Sequence, residues 1–215
     1  MSPEDFIVCE KQQLLFCGRH ALRALVQNTH MFDDTYLMSL GEEFSTQELI
    51  IREDATTFNQ FYFNQANGYY HIEVVRKALR QQYNIELVQL NRIDETLSSI
   101  RDLINNHIHD VQALFIHKHD HYFCVRRFDK TTDYFFIIDS LRPNRHETIK
   151  RNLIHEYIKY LHKHNNSVYI PVCIDILQTE IIPSDLISSL IHPLPICEAD
   201  RIVLTVNDAT NFIFN

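Results

Sequence analysis

Cys17 stands at the start of LLFCGRHALRALVQN, residues 14–28, where Cys17, Ala21, Ala24, Leu25 and Gln27 or Asn28 follow helical spacing and Arg19 and Arg23 fall on the other side. A cysteine in the first turn of a helix meets unpaired backbone amides and the positive end of the helix dipole, which favour the thiolate. Gly18 beside it is expected to leave room for a substrate backbone. The other four cysteines, Cys9, Cys124, Cys173 and Cys197, fall near the N-terminus, in strand-like runs or in a tail without clear periodicity, so Cys17 is the best candidate nucleophile. A buried core thiol is the competing reading, because free cysteine is among the most buried residue types.

Thiol chemistry also needs an imidazole to handle the proton and a polar group to hold that imidazole. The run His117-Lys118-His119-Asp120-His121 supplies the imidazole, and His121 directly precedes the apolar segment YFCV. Asp139 ends the next strand-like run, TDYFFIID. If the two runs pair as a hairpin around DKTTD, His121 and Asp139 are rough cross-strand neighbours, and the carboxylate can hold the second ring nitrogen. A strand-end turn is the competing role for Asp139. Period-2 spacing would also set His117, His119 and His121 on one sheet face, which is a zinc-like arrangement. A catalytic zinc would bring carboxylates in support and no separate thiol-bearing helix, so the favoured reading has no metal and no cofactor.

A helix must present the thiol and a sheet must present the histidine. Residues 33–67 read as a helical hairpin of two short pieces separated by polar breaks, with Ser45 and Glu48 forming a capping-box pattern at the second. HIEVVRKALRQQYN carries Ile72, Val75, Leu79 and Tyr83 on one helical stripe, and IELVQLN turns to strand character. DETLSSIRDLINN predicts another amphipathic helix, followed by VQALFIHK, HDHYFCVRRFD and TDYFFIIDS as three strands of an antiparallel meander. RHETIKRNLIHEYIKYLHKHNN reads as helical throughout, and Pro171 marks SVYIPVCI as an edge or bulged strand. Beyond Ile176 only PSDLISSL is expected to be helical, and CEADRIVLTV fits helix or strand equally. Helices come first and the sheet second, an α+β order, in one domain spanning 1–215 with segment 177–215 of uncertain structure.

Twenty basic against twenty-eight acidic residues leave a formal charge of −8, which disfavours general nucleic-acid binding. No apolar run approaches a membrane span, and MSPEDFIVCEKQQ has no cationic stretch leading into an apolar one, so no secretory leader and no membrane span are expected. Five scattered cysteines with no C-x-x-C pair argue for reduced thiols. The expected compartment is cytoplasmic, with the nucleus and delivery into a host cell as alternatives, and the expected state is a monomer.

EKQQLLFCGRHALRALVQN resembles the signature of the Josephin family, with a glutamine five residues before the nucleophilic cysteine and a histidine three after it, here Gln12, Cys17 and His20. HDHYFCVRR is similar to the family segment that carries the catalytic histidine, here His121, and DYFFIIDS to the strand ending in Asn-Ser or Asp-Ser, here Asp139. GYYHIEVVRKAL and PICEAD also resemble family text. The resemblance implies a papain-like cysteine protease fold and a deubiquitinase that cleaves at ubiquitin's C-terminal glycine. It implies Cys17 as nucleophile, His121 as general base and then acid, Asp139 as its orienting partner, and Gln12 as oxyanion donor. Gln13 is a weaker donor by spacing, and His20, on the nucleophile's own helix, is expected to be structural. Ubiquitin and polyubiquitin chains are the implied partners.

The chain departs from the family in having Tyr122 where tryptophan is frequent, so one aromatic cleft wall is altered. Ile72 and Glu73 occupy positions that contact ubiquitin in relatives, although Ile72 also lies on an apolar stripe. A catalytically weak ubiquitin-binding module and a papain-like enzyme acting on a ubiquitin-like protein are the alternative functions.

Overall fold

The computed structural model describes residues 6–51, 62–64, 66–90, 98–128, 132–144, 146–179 and 182–197. Helix α1, Cys17–Val26, is buried along nearly its whole length and ends where Gln27 turns left-handed and returns its amide to Arg23. Helix α2, Asp34–Ile51, starts at Asp33, whose Oδ1 accepts the Tyr36 amide at 2.8 Å. It is one continuous helix where the sequence suggested two pieces. Ser45 lies in its interior, with its hydroxyl donating to the Gly41 carbonyl one turn back at 3.0 Å instead of capping a new helix. Of the segment expected to form the hairpin, residues 52–61 and 65 lie outside those described.

Strands β1, Phe63–Asn64, and β2, Tyr69–Tyr70, form a short ribbon leading into α3, Ile72–Tyr83. His71 Nδ1 accepts the Glu73 amide at the start of α3, and Asn84 closes it in the left-handed conformation. The main sheet follows: β3, Ile85–Gln89; β4, Ala113–Lys118; β5, His121–Arg126; β6, Tyr134–Ile138; β7, Thr148–Lys150; and β8, Ser167–Cys173. These six pair antiparallel in the order β3-β8-β4-β5-β6-β7.

Two strand expectations change. Thr148–Lys150, read as helix, adds to the open edge of β6 as β7, and the helix of that segment, α5, begins only at Ile154 and runs to Lys163. Its two β-branched residues suit a pleated surface, and Thr148 and Ile149 are both buried there. Strand β8 is interior, between β3 and β4, although it carries Pro171. The proline is tolerated because β4 pairs with β8 only over Ser167–Tyr169, so at Pro171 the strand has β3 as its one neighbour in the sheet.

Alternation along the strands divides the core in two. Phe115, Tyr122, Cys124, Phe136, Ile138 and Tyr169 join α1, α2 and α3 in one cluster. Leu114, Phe123, Val125, Phe135, Ile137 and Val168 join α4 (Ser98–Asn106), α5 and α7 (Ile187–Ile191) in the other. Each fully buried side chain of this kind contributes about 1.5–3 kcal/mol by leaving water. A short α6, Ile174–Leu177, links β8 to the C-terminal turns. The result is α+β, with a helical part carrying Cys17 and an antiparallel sheet carrying His121 and Asp139. Among the described residues no helix is long and apolar enough to cross a membrane.

Candidate active site

Helix α1 sets Cys17 in its first turn, and no side chain caps the amides at that end. The turn packs against the end of the β4–β5 hairpin: the Cys17 thiol donates to the Asp120 carbonyl at 3.6 Å. Gly18 faces inward, contrary to its expected role, since a Cβ there would meet Tyr122 Cδ2 at 3.5 Å and Tyr70 Cβ at 3.7 Å. Those are ordinary van der Waals distances, so position 18 lies in the packed seam of α1 with β5 and β2 and does not open space for a substrate.

His121 opens β5 directly after the two-residue turn His119–Asp120, whose His119 adopts a positive φ of 54°. Its Nε2 lies 2.8 Å from Asp139 Oδ1, and the ring is close enough to the Cys17 sulfur for the thiol to influence its protonation. Asp139 follows the last residue of β6, in a register where Cys124 faces Ile138. Extending that ladder by one residue sets Asp139 beside Phe123, so Asp139 and His121 are diagonal neighbours on one face. Burial pulls the His121 pKa down, but the hydrogen bonds to Asp139 and Cys17 and their negative charge outweigh it and raise it to about 9. Burial alone would raise the Asp139 carboxyl, yet the His121 hydrogen bond, the Leu141 amide and the charges of His121 and Arg142 hold it below the usual carboxylate range. The two shifts favour an imidazolium–carboxylate pair next to a sulfur.

Gln12 lies on the other side of Asp139. Its main-chain amide donates to the Ser140 carbonyl at 2.9 Å, its Oε1 accepts the Ser140 hydroxyl at 3.0 Å, and its Nε2 donates to the Leu14 carbonyl at 2.8 Å. Ser140 was not singled out from the sequence, although it is adjacent to Asp139 in DYFFIIDS.

The remaining candidates are placed elsewhere. Tyr122 is 1% exposed and stacks on His117 with ring centres 4.3 Å apart, so it is core beneath the site, not a cleft wall. Ile72 packs partly buried against the main cluster, and Glu73 pairs with Arg76 at 2.8 Å. His20 is 3% exposed, with Nδ1 2.8 Å from Glu10 Oε2, which fits a structural residue tying the N-terminal segment to α1. The three histidines of the HKHDH run do not share a face. His117 is opposite Tyr122 and His121 is opposite Lys118, because the turn at His119–Asp120 interrupts the period-2 pattern. Among the described residues no cluster of histidine, cysteine and carboxylate side chains is arranged to hold a metal ion.

Residues 12–171 match the family model for Josephin. Among curated proteins, an Ataxin-3 homolog from Caenorhabditis briggsae is 23% identical over 175 residues, covering 79% of this chain and 51% of that relative. The chain spans about half the length of the curated relative it matches. With a family match over well more than half of its length, on an α+β fold that joins a thiol-bearing helix to a histidine-bearing sheet, the chain belongs to the Josephin family, whose members are cysteine deubiquitinases.

Proposed function

We propose that the protein is a thiol-dependent deubiquitinase that hydrolyses the isopeptide or peptide bond at the C-terminal glycine of ubiquitin in conjugates and chains. The observation that carries this reading is His121, held by Asp139 at 2.8 Å on Nε2 and sensitive to the Cys17 sulfur, which sits against the turn that precedes it. In the proposed sequence the Cys17 thiolate attacks the glycine carbonyl carbon and the carbonyl oxygen becomes an oxyanion, which accepts a hydrogen bond from the Gln12 amide. The C–N bond then breaks as His121 gives its proton to the departing amine, leaving a thioester. Water attacks the thioester, His121 takes its proton, and the C–S bond breaks to release the ubiquitin carboxylate and restore the thiolate. Asp139 holds the ring in place and stabilises the imidazolium throughout. Ile72 and Glu73, at the start of α3, are proposed contacts for the folded part of ubiquitin.

The test is reaction with ubiquitin carrying a thiol-reactive group at its C-terminus, followed by hydrolysis of a ubiquitin C-terminal fluorogenic amide. A covalent adduct at Cys17 and turnover that is lost in Cys17→Ala and His121→Ala are expected. Adduct formation without turnover would identify a weak binding module, and turnover that survives Cys17→Ala would refute the proposal.

A further inference from the structure

The Asp139-Ser140 dipeptide touches both halves of the proposed machinery. Asp139 holds His121, while Ser140 holds Gln12 through two hydrogen bonds, one to the glutamine's main-chain amide and one from the serine hydroxyl to the side-chain Oε1. Ser140 is 6% exposed, so this hydroxyl is not a casual surface contact. We infer that Ser140 is a positioning residue for oxyanion stabilisation, setting which face of the Gln12 carboxamide reaches the reacting carbonyl. The inference rests on the thiol-hydrolase reading above and adds a residue to it.

The terminal torsion of a glutamine is soft and nearly two-fold, so backbone placement alone does not decide where its amide nitrogen points. Two contacts decide it here. The Leu14 carbonyl is only an acceptor, so the end of the amide 2.8 Å from it must be nitrogen. The opposite end is then the oxygen, and it receives the Ser140 hydroxyl at 3.0 Å. One N–H of Nε2 is used on Leu14, and the second remains as a donor for a developing oxyanion. Donation into Oε1 also polarises the amide and strengthens its N–H donors, by roughly 10–30% per bond in a hydrogen-bonded chain. Without the hydroxyl the main-chain bond between the two residues and the bond from Nε2 to Leu14 persist, but the amide loses the contact that fixes its oxygen end. The loss is therefore in the transition state and not in substrate affinity.

The experiment compares the intact protein with Ser140→Ala, Ser140→Thr, Gln12→Ala and the double variant Gln12→Ala/Ser140→Ala. One readout is steady-state hydrolysis of a ubiquitin C-terminal fluorogenic amide. The other is the rate of Cys17 alkylation by iodoacetamide across pH, a reaction that uses the thiolate–imidazolium pair but develops no oxyanion. Loss of an oxyanion donor typically costs 10²–10³-fold in kcat, so a loss of about 10- to 100-fold in kcat is expected for Ser140→Ala, where the donor is misaimed but present. KM should stay within about two-fold, the alkylation profile should be unchanged, and Ser140→Thr should recover most of the activity by restoring a hydroxyl. The double variant should be no worse than Gln12→Ala alone, since the serine acts through the glutamine. Unchanged kcat in Ser140→Ala, a parallel fall in alkylation rate, or additive losses in the double variant would each overturn the inference. Those outcomes leave the deubiquitinase reading standing, whereas hydrolysis that survives Cys17→Ala removes it whatever Ser140 does.

Discussion

Asp139 Oδ1 receives two donors, His121 Nε2 at 2.8 Å and the Leu141 main-chain amide at 3.0 Å. The carboxylate is thus aimed by its own turn before it meets the imidazole, and the amide oxygen of an asparagine could fill the same place. Asp139→Asn is expected to retain substantial activity, while Asp139→Ala loses about 10- to 1,000-fold, the range set by losing an orienting group. Ubiquitin-amide hydrolysis by the three forms measures this, and unchanged activity in Asp139→Ala would reduce Asp139 to a turn residue.

The same pair sets a pH dependence. His121 is raised to about 9, so its imidazolium persists through neutral pH and the alkaline limb of activity should fall near that value. Asp139→Asn removes a negative charge that favours the imidazolium, so the alkaline limb should move to lower pH. Stability follows the same sign. The contribution of His121 is complete below the ordinary histidine pKa and is lost as pH rises through about 9, while that of Asp139 is lost as pH falls through its lowered value. Unfolding midpoints measured between acid and pH 10 should therefore fall at both ends, and the alkaline fall should be smaller in the asparagine form.

Thiol reactivity should separate sharply. Burial first, and then the Asp139 and Glu10 charges, push the Cys9 thiol up to about 12, and burial pushes Cys124 further still. Both remain protonated thiols at neutral pH, and Cys9 donates to the Asp139 carbonyl at 3.5 Å. A ubiquitin probe is expected to modify Cys17 alone, as mapped by mass spectrometry. Labelling at Cys9 or Cys124 in the folded protein would contradict this ordering.

Chelation should have no effect on activity, because His117 stacks inward on Tyr122 while His121 pairs with Asp139 on the opposite face of the sheet. Activity lost to a chelator and restored by zinc, with the same loss produced by His117→Ala or His119→Ala, would show that the histidine run does hold a metal.

The sequence made Cys17, His121 and Asp139 legible because each sits at the end of an element with clear periodicity: the start of α1, the start of β5 and the end of β6. Local pattern was weaker wherever tertiary pairing decided the outcome. Thr148–Lys150 has a helix-like sequence context, yet the free edge of β6 makes it a strand, a choice made by a partner distant in the chain. From sequence, Tyr122 and Gly18 read as cleft features because they adjoin His121 and Cys17. Alternation and helical rotation instead turn each of them into the core between α1 and β5. Ser140 carried no periodic signal, and its contact with Gln12 spans nearly the whole sheet in sequence.

Arg126 is fully buried, and its guanidinium donates to the Leu25 carbonyl at the end of α1 and to the Pro195 carbonyl at 3.0 Å. It therefore fastens the segment after α7 to the nucleophile's helix. Arg126→Met keeps much of the volume but leaves these carbonyls without that donor, at about 1–3 kcal/mol each. A melting temperature lower by roughly 5–10 °C is expected at this chain length, with faster proteolysis near Pro195. A change below about 1 °C would mean that other donors replace the guanidinium.

Gly68 packs the loop of the β1–β2 ribbon against the segment that leads into the nucleophile. Its φ is +80°, a conformation that side chains resist, and a Cβ there would come within 2.5 Å of the Phe16 ring. Phe16 immediately precedes Cys17, its ring lies under the Arg19 guanidinium at 4.6 Å, and the neighbouring Leu15 amide is fixed to the Asn67 carbonyl at 2.7 Å. Gly68→Ala should therefore destabilise the fold by about 1–3 kcal/mol through backbone strain, and should also push Phe16 and with it the first turn of α1. Because a displacement on the order of 1 Å costs about 100-fold in a positioned reaction, probe labelling of Cys17 should slow far more than the modest stability loss would explain at 25 °C. Gly68→Ala combined with Phe16→Leu makes room for the added methyl while keeping the φ strain, so it should recover labelling more than stability. If labelling and stability instead recover together, or neither recovers, the ribbon acts on the fold as a whole and not on the placement of Cys17.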